Sequence, residues 1–329
     1  MKLFFLPIEP YEERYTAQWY EWWADAFNNL GVDFEYVIGD RQTTKIETGQ
    51  VLDVFGTHFY KFGQLETLMR LLNEGKIKDG DTIFLADLWF PGIEALAYIR
   101  NMTGIKFKIA GILHAGTWDQ NDFTFKSGMR IWGKDFENSF LEFADKVYVA
   151  TEYHKRLICS KNSVDKAKVY VMGLPFDSEE IIAQTQKSTK VNIVVFPHRL
   201  DDEKRPWLFD KLAYEFRKSG WKFVKTKEVC KTKKDYYELL AKSKIAVSFA
   251  RQETFGYAML EAVALGCVPV VPDRLSYQEI YPKNLQYADY IQAKKIIEEL
   301  IKKDAIFNKN KILAKYSPTF VISKILKTL

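Results

Sequence analysis

The sequence predicts an α/β protein made of two doubly wound parallel-sheet domains. Three observations carry that reading. Short apolar runs alternate along the whole chain with segments whose apolar positions recur at helical spacing, the pattern of successive βαβ units. At 329 residues the chain is long for a single hydrophobic core, so two domains are expected. Residues 245–271 read in direct succession as strand, polar loop, helix and strand.

Composition narrows the class. Apolar residues make up 47% and aromatic residues 15% of the chain, ample for globular cores. No apolar run reaches the ~18 residues that span a bilayer, and the opening MKLFFLPIEP is too short and too soon charged for a signal peptide. Three widely spaced cysteines, Cys159, Cys230 and Cys267, argue for a reducing compartment without disulfides or a cysteine metal cluster. A cytoplasmic location is expected. The net charge of +5 is unevenly spread: residues 1–175 hold 20 basic and 24 acidic side chains, residues 176–329 hold 28 and 19. Lys-rich runs at Lys222–Lys234 and Lys302–Lys327 read by default as solvated faces, and more sharply as a surface for a polyanion.

The elements follow in order. Lys2 to Leu6 is a strand ended by Pro7, and the next loop lacks a Gly-x-Gly-x-x-Gly, which weakens a dinucleotide-dehydrogenase reading. A helix over 16–29 sets Trp19, Trp22, Trp23 and Phe27 on a core face. Asp33 to Ile38 is a strand, Val51 to Tyr60 a hairpin or loop insertion, and Gly63 to Asn73 a helix. Thr82 to Ala86 is a strand running into Asp87-Leu-Trp-Phe-Pro91, with a helix after the proline. Phe107 to Leu113 and Lys146 to Ala150 are strands, the second followed by a helix over 151–160. Val169 to Met172 leads into a linker at Gly173–Asp177, so the domains are expected at 1–175 and 176–317.

The second domain reads as strands at Val191–Phe196, Trp221–Lys225, Ile245–Phe249 and Val268–Val271. Phe255-Gly256 opens a helix whose Met259, Leu260, Val263 and Ala264 face inward, and Gly266 caps it. The chain is helical from Asp289, interrupted at Pro318. Such a strand–loop–helix sets backbone N–H groups and a positive helix end at the sheet's carboxyl edge, where a diphosphate sits well. Gly256 has no Cβ to hold a ligand away. Glu253 in the loop and Glu261, five residues past Gly256 and roughly 7 Å along the helix, can grip hydroxyls on either side of that diphosphate.

The stretch Ser248–Tyr281 resembles the donor-site signature of retaining glycosyltransferases of the GT-B fold, family 4 type. It has the Glu-x7-Glu pair (Glu253, Glu261), the Phe-Gly between them, and Glu-Ala-x-Ala-x-Gly-x-x-Pro-Val-Val. The resemblance extends to ADKVYVATEYHKRL and to VYVMGLPFD before the second domain. It implies that Glu253, with Thr254, Phe255 and Gly256, holds the sugar of a nucleotide sugar, expected to be UDP-linked, and that Glu261 holds the ribose. In PHRLDDEK it matches Arg199 and Lys204 to the family's phosphate-binding Arg and Lys. Two cations five apart, after a strand and before a helix, suit a pyrophosphate because both can converge on it, though taken alone they read as surface charges. It places His114 near the transferred sugar, among the catalytic candidates with Arg199, Lys204 and Glu253. It implies front-face attack with retention, no metal and no cofactor beyond the nucleotide sugar. The last helix, 318–329, is expected to cross back to the first domain.

Acceptor recognition falls to the first domain, whose strand-end loops carry Glu9, Tyr11, Arg14, Tyr15, Trp89, Trp118 and Asp119, including rings able to stack on a sugar or nucleobase. Its LPIEPYEERYTAQW, DLWFPGIEAL and GILHAGTWDQNDFT are similar to glycosyltransferases of tailed bacteriophages that sugar hydroxymethylated pyrimidines. That similarity implies double-stranded DNA bearing 5-hydroxymethylcytosine as partner, and a host cytoplasm as location. The alternatives are a bacterial surface glycan or lipid-linked saccharide as acceptor, and a non-catalytic sugar-nucleotide sensor.

Overall fold

The computed structural model describes residues 1–11, 15–40, 53–122, 124–186, 188–303 and 307–329. The chain divides into two compact units, 1–175 with 318–329, and 176–317. Among the described residues no helix is long and apolar enough to cross a membrane.

In the first unit six strands pair throughout in parallel: β1 (Leu3–Leu6), β2 (Phe34–Tyr36), β3 (Thr82–Leu85), β4 (Lys108–Ile112), β5 (Lys146–Val149) and β6 (Val169–Val171). Their order is β2-β1-β3-β4-β5-β6. The strands read as unbroken apolar runs because the sheet is buried on both faces: every residue of β1 and β3 is buried. The aromatics of helix Tyr15–Asn29 pack on one face, where Phe5 meets Trp23 at 4.8 Å between ring centroids. The chain's last helix, Pro318–Leu326, packs against helix Tyr15–Asn29, and Thr328 Oγ1 lies 2.9 Å from Tyr148 Oη.

The second unit holds β7 (Val191–Phe196), β8 (Lys222–Lys225), β9 (Ser243–Val247), β10 (Val268–Pro272) and β11 (Gln286–Tyr287) in the order β11-β10-β9-β7-β8. All of these pairs are parallel. In both sheets the chain leaves two neighbouring strands in opposite directions, at β1/β3 and at β7/β9. Such switch points open a crevice at the carboxyl ends of the strands, the place where open α/β sheets bind ligands.

One element departs from expectation. Residues 54–60 are not a hairpin or loop but the start of helix Val54–Asn73, while 51 and 52 lie outside the described residues. The Asp53 side chain caps the helix by accepting from Gly56 N at 3.1 Å. Two internal glycines disguise this helix in the sequence. Gly63 is needed for close approach, since a Cβ there would sit 3.1 Å from Gly39 Cα, and one on Gly39 would collide with the Tyr60 carbonyl.

Candidate functional site

In the second unit, the loops after β7 and β9 supply the site. Lys204, which taken alone reads as a surface charge, is buried. Its ammonium donates to Gln252 O at 2.7 Å and to Glu253 Oε2 at 3.2 Å, with the two side chains 7% and 17% exposed. Arg199 is the more open cation, held by Asp201 at 3.2 Å and Glu203 at 3.4 Å. His198, which precedes Arg199, is buried, its ring 5.2 Å from Phe196. Burial, then Lys204 and Arg199, hold its pKa well below the ordinary imidazole value, so it is neutral.

Gly256 stands one residue before the helix, at φ +97°, a left-handed position that glycine takes without strain. A Cβ there would press on Glu253 Cγ at 3.3 Å and on the Tyr277 ring at 3.2 Å. No side chain caps helix Tyr257–Ala264, which leaves its positive end to a ligand. Phe255 is buried edge-on to Tyr316, 4.9 Å between centroids, so its ring builds core and its backbone shapes the loop beside Thr254.

Glu261 is buried, and each carboxylate oxygen accepts from a tyrosine: Tyr236 Oη at 2.9 Å and Tyr237 Oη at 3.0 Å. Burial raises its pKa against the opposing pull of Lys233 and the two hydroxyls. Each carboxylate oxygen offers two lone pairs, so a ribose hydroxyl can still be accepted beside the tyrosines. Tyr236 and Tyr237 sit in helix Lys233–Lys242, and no spacing in the sequence links them to Glu261.

In the first unit, loops after β1, β3 and β4 frame a cavity of about 180 Å³. Glu9, Tyr11, Tyr15, Trp89 and His114 all line it; Arg14 lies outside the described residues. The lining also includes two charged residues, Lys61 from helix Val54–Asn73 and Asp87 from the end of β3. Lys61 donates to Asp87 Oδ2 at 3.3 Å and to the Trp89 carbonyl, and Trp89 N donates to Asp87 Oδ1 at 3.2 Å. Burial pushes the Asp87 pKa up, but Lys61, His114 and the Trp89 N–H outweigh it, and the group stays ionised below its ordinary value. His114 Nε2 donates to Ala86 O at 2.8 Å, because a carbonyl can only accept. Burial holds its pKa down against the pull of Asp87, so the ring is neutral with Nδ1 as its acceptor.

Trp118 and Asp119 do not join the cavity. Trp118 packs at 5.3 Å on the buried His154, and Asp119 Oδ1 accepts from Asn121 N at 3.0 Å. Glu137, from helix Arg130–Phe143, folds this segment inward by accepting from Thr117 N at 2.5 Å and Thr117 Oγ1 at 2.6 Å. Gly116 is pressed between Trp118 and Glu137, leaving no room for a Cβ.

Burial raises the Glu137 pKa to about 7. A raised folded-state value means stability that is complete below the unfolded pKa and is lost as pH rises through about 7, by up to about 3 kcal/mol. Buried neutral histidines act in the opposite sense, so the difference between variants isolates the glutamate. Glu137→Gln is expected to gain melting temperature relative to the parent as pH rises from ~5 to ~8. A pH-independent difference in thermal melts would rule the effect out.

No family model matches the chain. The tRNA-queuosine alpha-mannosyltransferase of Drosophila melanogaster is 31% identical over 29% of this chain and 32% of the fly protein. A protein of Sulfolobus islandicus filamentous virus, provisionally named a glycosyltransferase, is 26% identical over 46% of this chain and 51% of its own length. The chain thus spans about a third of one of these curated relatives and about half of the other. Among solved structures, the lipopolysaccharide outer core galactosyltransferase WaaB superposes over 100% of both chains with a TM-score of 0.62 at 13% identity. Staphylococcus aureus TarM, solved with UDP, covers 80% of this chain and 58% of its own at a TM-score of 0.57 and 18% identity. At such identities the likeness is one of fold: two Rossmann-like parallel-sheet domains, as in GT-B glycosyltransferases.

Proposed function

We propose that the chain is a retaining glycosyltransferase that moves a sugar from a nucleoside-diphosphate sugar, a UDP-sugar, to a hydroxyl on a nucleobase of a nucleic acid, foremost 5-hydroxymethylcytosine in DNA. The observation that carries the reading is the Lys204–Glu253 pair beside the uncapped helix end at Gly256, at the switch point of the second sheet. A diphosphate there meets a fixed ammonium and a positive helix end. Glu253, itself held by Lys204, accepts from the sugar's hydroxyls, and Glu261 accepts from the ribose.

As the bond from the anomeric carbon to the diphosphate oxygen breaks, negative charge grows on the leaving group. Lys204, Arg199 and the helix end stabilise it. The acceptor oxygen forms the new bond on the same face, and its proton passes to the departing diphosphate. The acceptor reading draws support from the fly relative, named for a modified nucleoside in tRNA, and from the first unit's cavity. Tyr11, Tyr15 and Trp89 line that cavity with the carboxylates of Glu9 and Asp87, a combination able to hold a planar base and its polar edge.

Cationic side chains would do what a divalent ion does elsewhere, so transfer is expected to survive excess EDTA. An α-linked donor is expected to give an α-linked product, read from the anomeric proton coupling by NMR. A β product, or loss on chelation that magnesium restores, would overturn this mechanism.

A further inference from the structure

Arg205, Arg251 and Arg274 come from three loops at the carboxyl edge of the second sheet, after β7, β9 and β10. The backbone of 249–251 ties them together. Arg205 Nε donates to Phe249 O at 2.7 Å, and Arg274 Nε and Nη2 donate to Ala250 O at 3.3 and 3.2 Å. The N–H of Arg251 donates to Glu203 O at 2.7 Å. Each guanidinium has five N–H donors, so these bonds orient two of the groups and consume few of them.

Nearby acids are committed elsewhere. Asp201 and Glu203 pair with Arg199, and Asp273 pairs with Lys283 at 2.8 Å. Among the described residues, none of the three arginines forms an ion pair with a carboxylate. They also lie close enough to disfavour one another's charge: burial first, then Arg274 and Arg251, lower the pKa of Arg205. Arg205 moreover sits at φ +54°, a left-handed position where a side chain is disfavoured. A cluster of like charges on a strained residue is stabilised by an anion. Lys204, one residue earlier, turns inward to Glu253, so the two sets of cations serve different groups.

The Lys-rich run proposes itself less well for such a ligand. It is divided between β8 and two helices, and Lys225 is already paired with Asp210 at 2.6 Å and Glu228 at 2.8 Å. We propose that Arg205, Arg251 and Arg274 form a phosphodiester-binding site that holds the backbone of a polynucleotide acceptor. The identity of the polyanion rests on the nucleic-acid reading above. The excess of 28 basic over 19 acidic residues in 176–329 favours a run of phosphates over a single one.

The test is fluorescence anisotropy with a short labelled DNA duplex between ~50 and ~200 mM salt, on the full chain and on Arg205→Gly, Arg251→Ala and Arg274→Ala. Glycine suits the left-handed position, so Arg205→Gly is expected to keep or raise the melting temperature. Each variant is expected to lower the log–log salt slope by about 0.9 and to weaken duplex binding by about an order of magnitude at ~0.1 M salt. UDP affinity and donor hydrolysis without acceptor should not change. Unaltered slopes in folded variants, a parallel loss of UDP affinity, or equal competition by inorganic phosphate at matched phosphate concentration would each overturn the site. Arginine-dependent duplex binding without any donor hydrolysis would instead sink the transferase reading alone.

Discussion

Lys204→Ala is expected to lower turnover by about two to three orders of magnitude, the loss typical of removing one group that stabilises developing charge. It is also expected to destabilise the second unit, which a surface cation would not do. The ammonium is buried between Gln252 O and Glu253, and removing one member of a buried pair leaves the other charge uncompensated, at a cost of about 3–5 kcal/mol. The double variant Lys204→Ala, Glu253→Ala should therefore be less unstable than the two single losses summed. Urea melts of the four proteins, with turnover measured below the transition, read both effects. Strict additivity would show that the pair does not act as a pair, and normal turnover would remove Lys204 from the site.

Glu261→Ala should be the second large loss. It strips two tyrosine hydroxyls of their acceptor, at about 1–3 kcal/mol for each polar group left unsatisfied. Donor affinity should fall with it. Glu261→Gln separates the two effects, because the amide keeps the volume and one acceptor oxygen. It should lose less stability than the alanine variant, while the KM for the nucleotide sugar rises and that for the acceptor does not. An unchanged donor KM in the glutamine variant would make Glu261 a purely structural anchor for helix Lys233–Lys242.

The second sheet's strand–loop–helix–strand was legible because each signal has a local backbone cause. Gly256 is forced by its left-handed φ, the strands by unbroken apolar runs, and the loop carboxylate by its position before a helix. What was hidden depends on residues far apart in sequence. Lys61, Asp87 and His114 meet only because helix Val54–Asn73, β3 and β4 bring their ends together, and that helix was itself masked by its glycines. Trp118 looked like an open loop ring, but Glu137 draws its segment into the core. Lys204 and Arg205 are adjacent cations with opposite fates, one buried on Glu253 and one reaching Phe249 O, a difference set by the φ of Arg205 rather than by residue type.

Sugar transfer from a nucleotide donor to a nucleobase hydroxyl can be read directly in the product. The protein is incubated with a panel of nucleotide sugars and, separately, hydroxymethylated DNA, unmodified DNA and tRNA, after which the nucleic acid is digested and the nucleosides analysed by mass. One donor is expected to add a single sugar mass to one hydroxyl-bearing nucleoside, with hydroxymethylcytosine the expected site, and that product is expected to be lost in Lys204→Ala. Donor turnover with no sugar on any nucleoside would contradict the acceptor assignment. No turnover of any donor, despite tight nucleotide binding, would contradict the transferase itself.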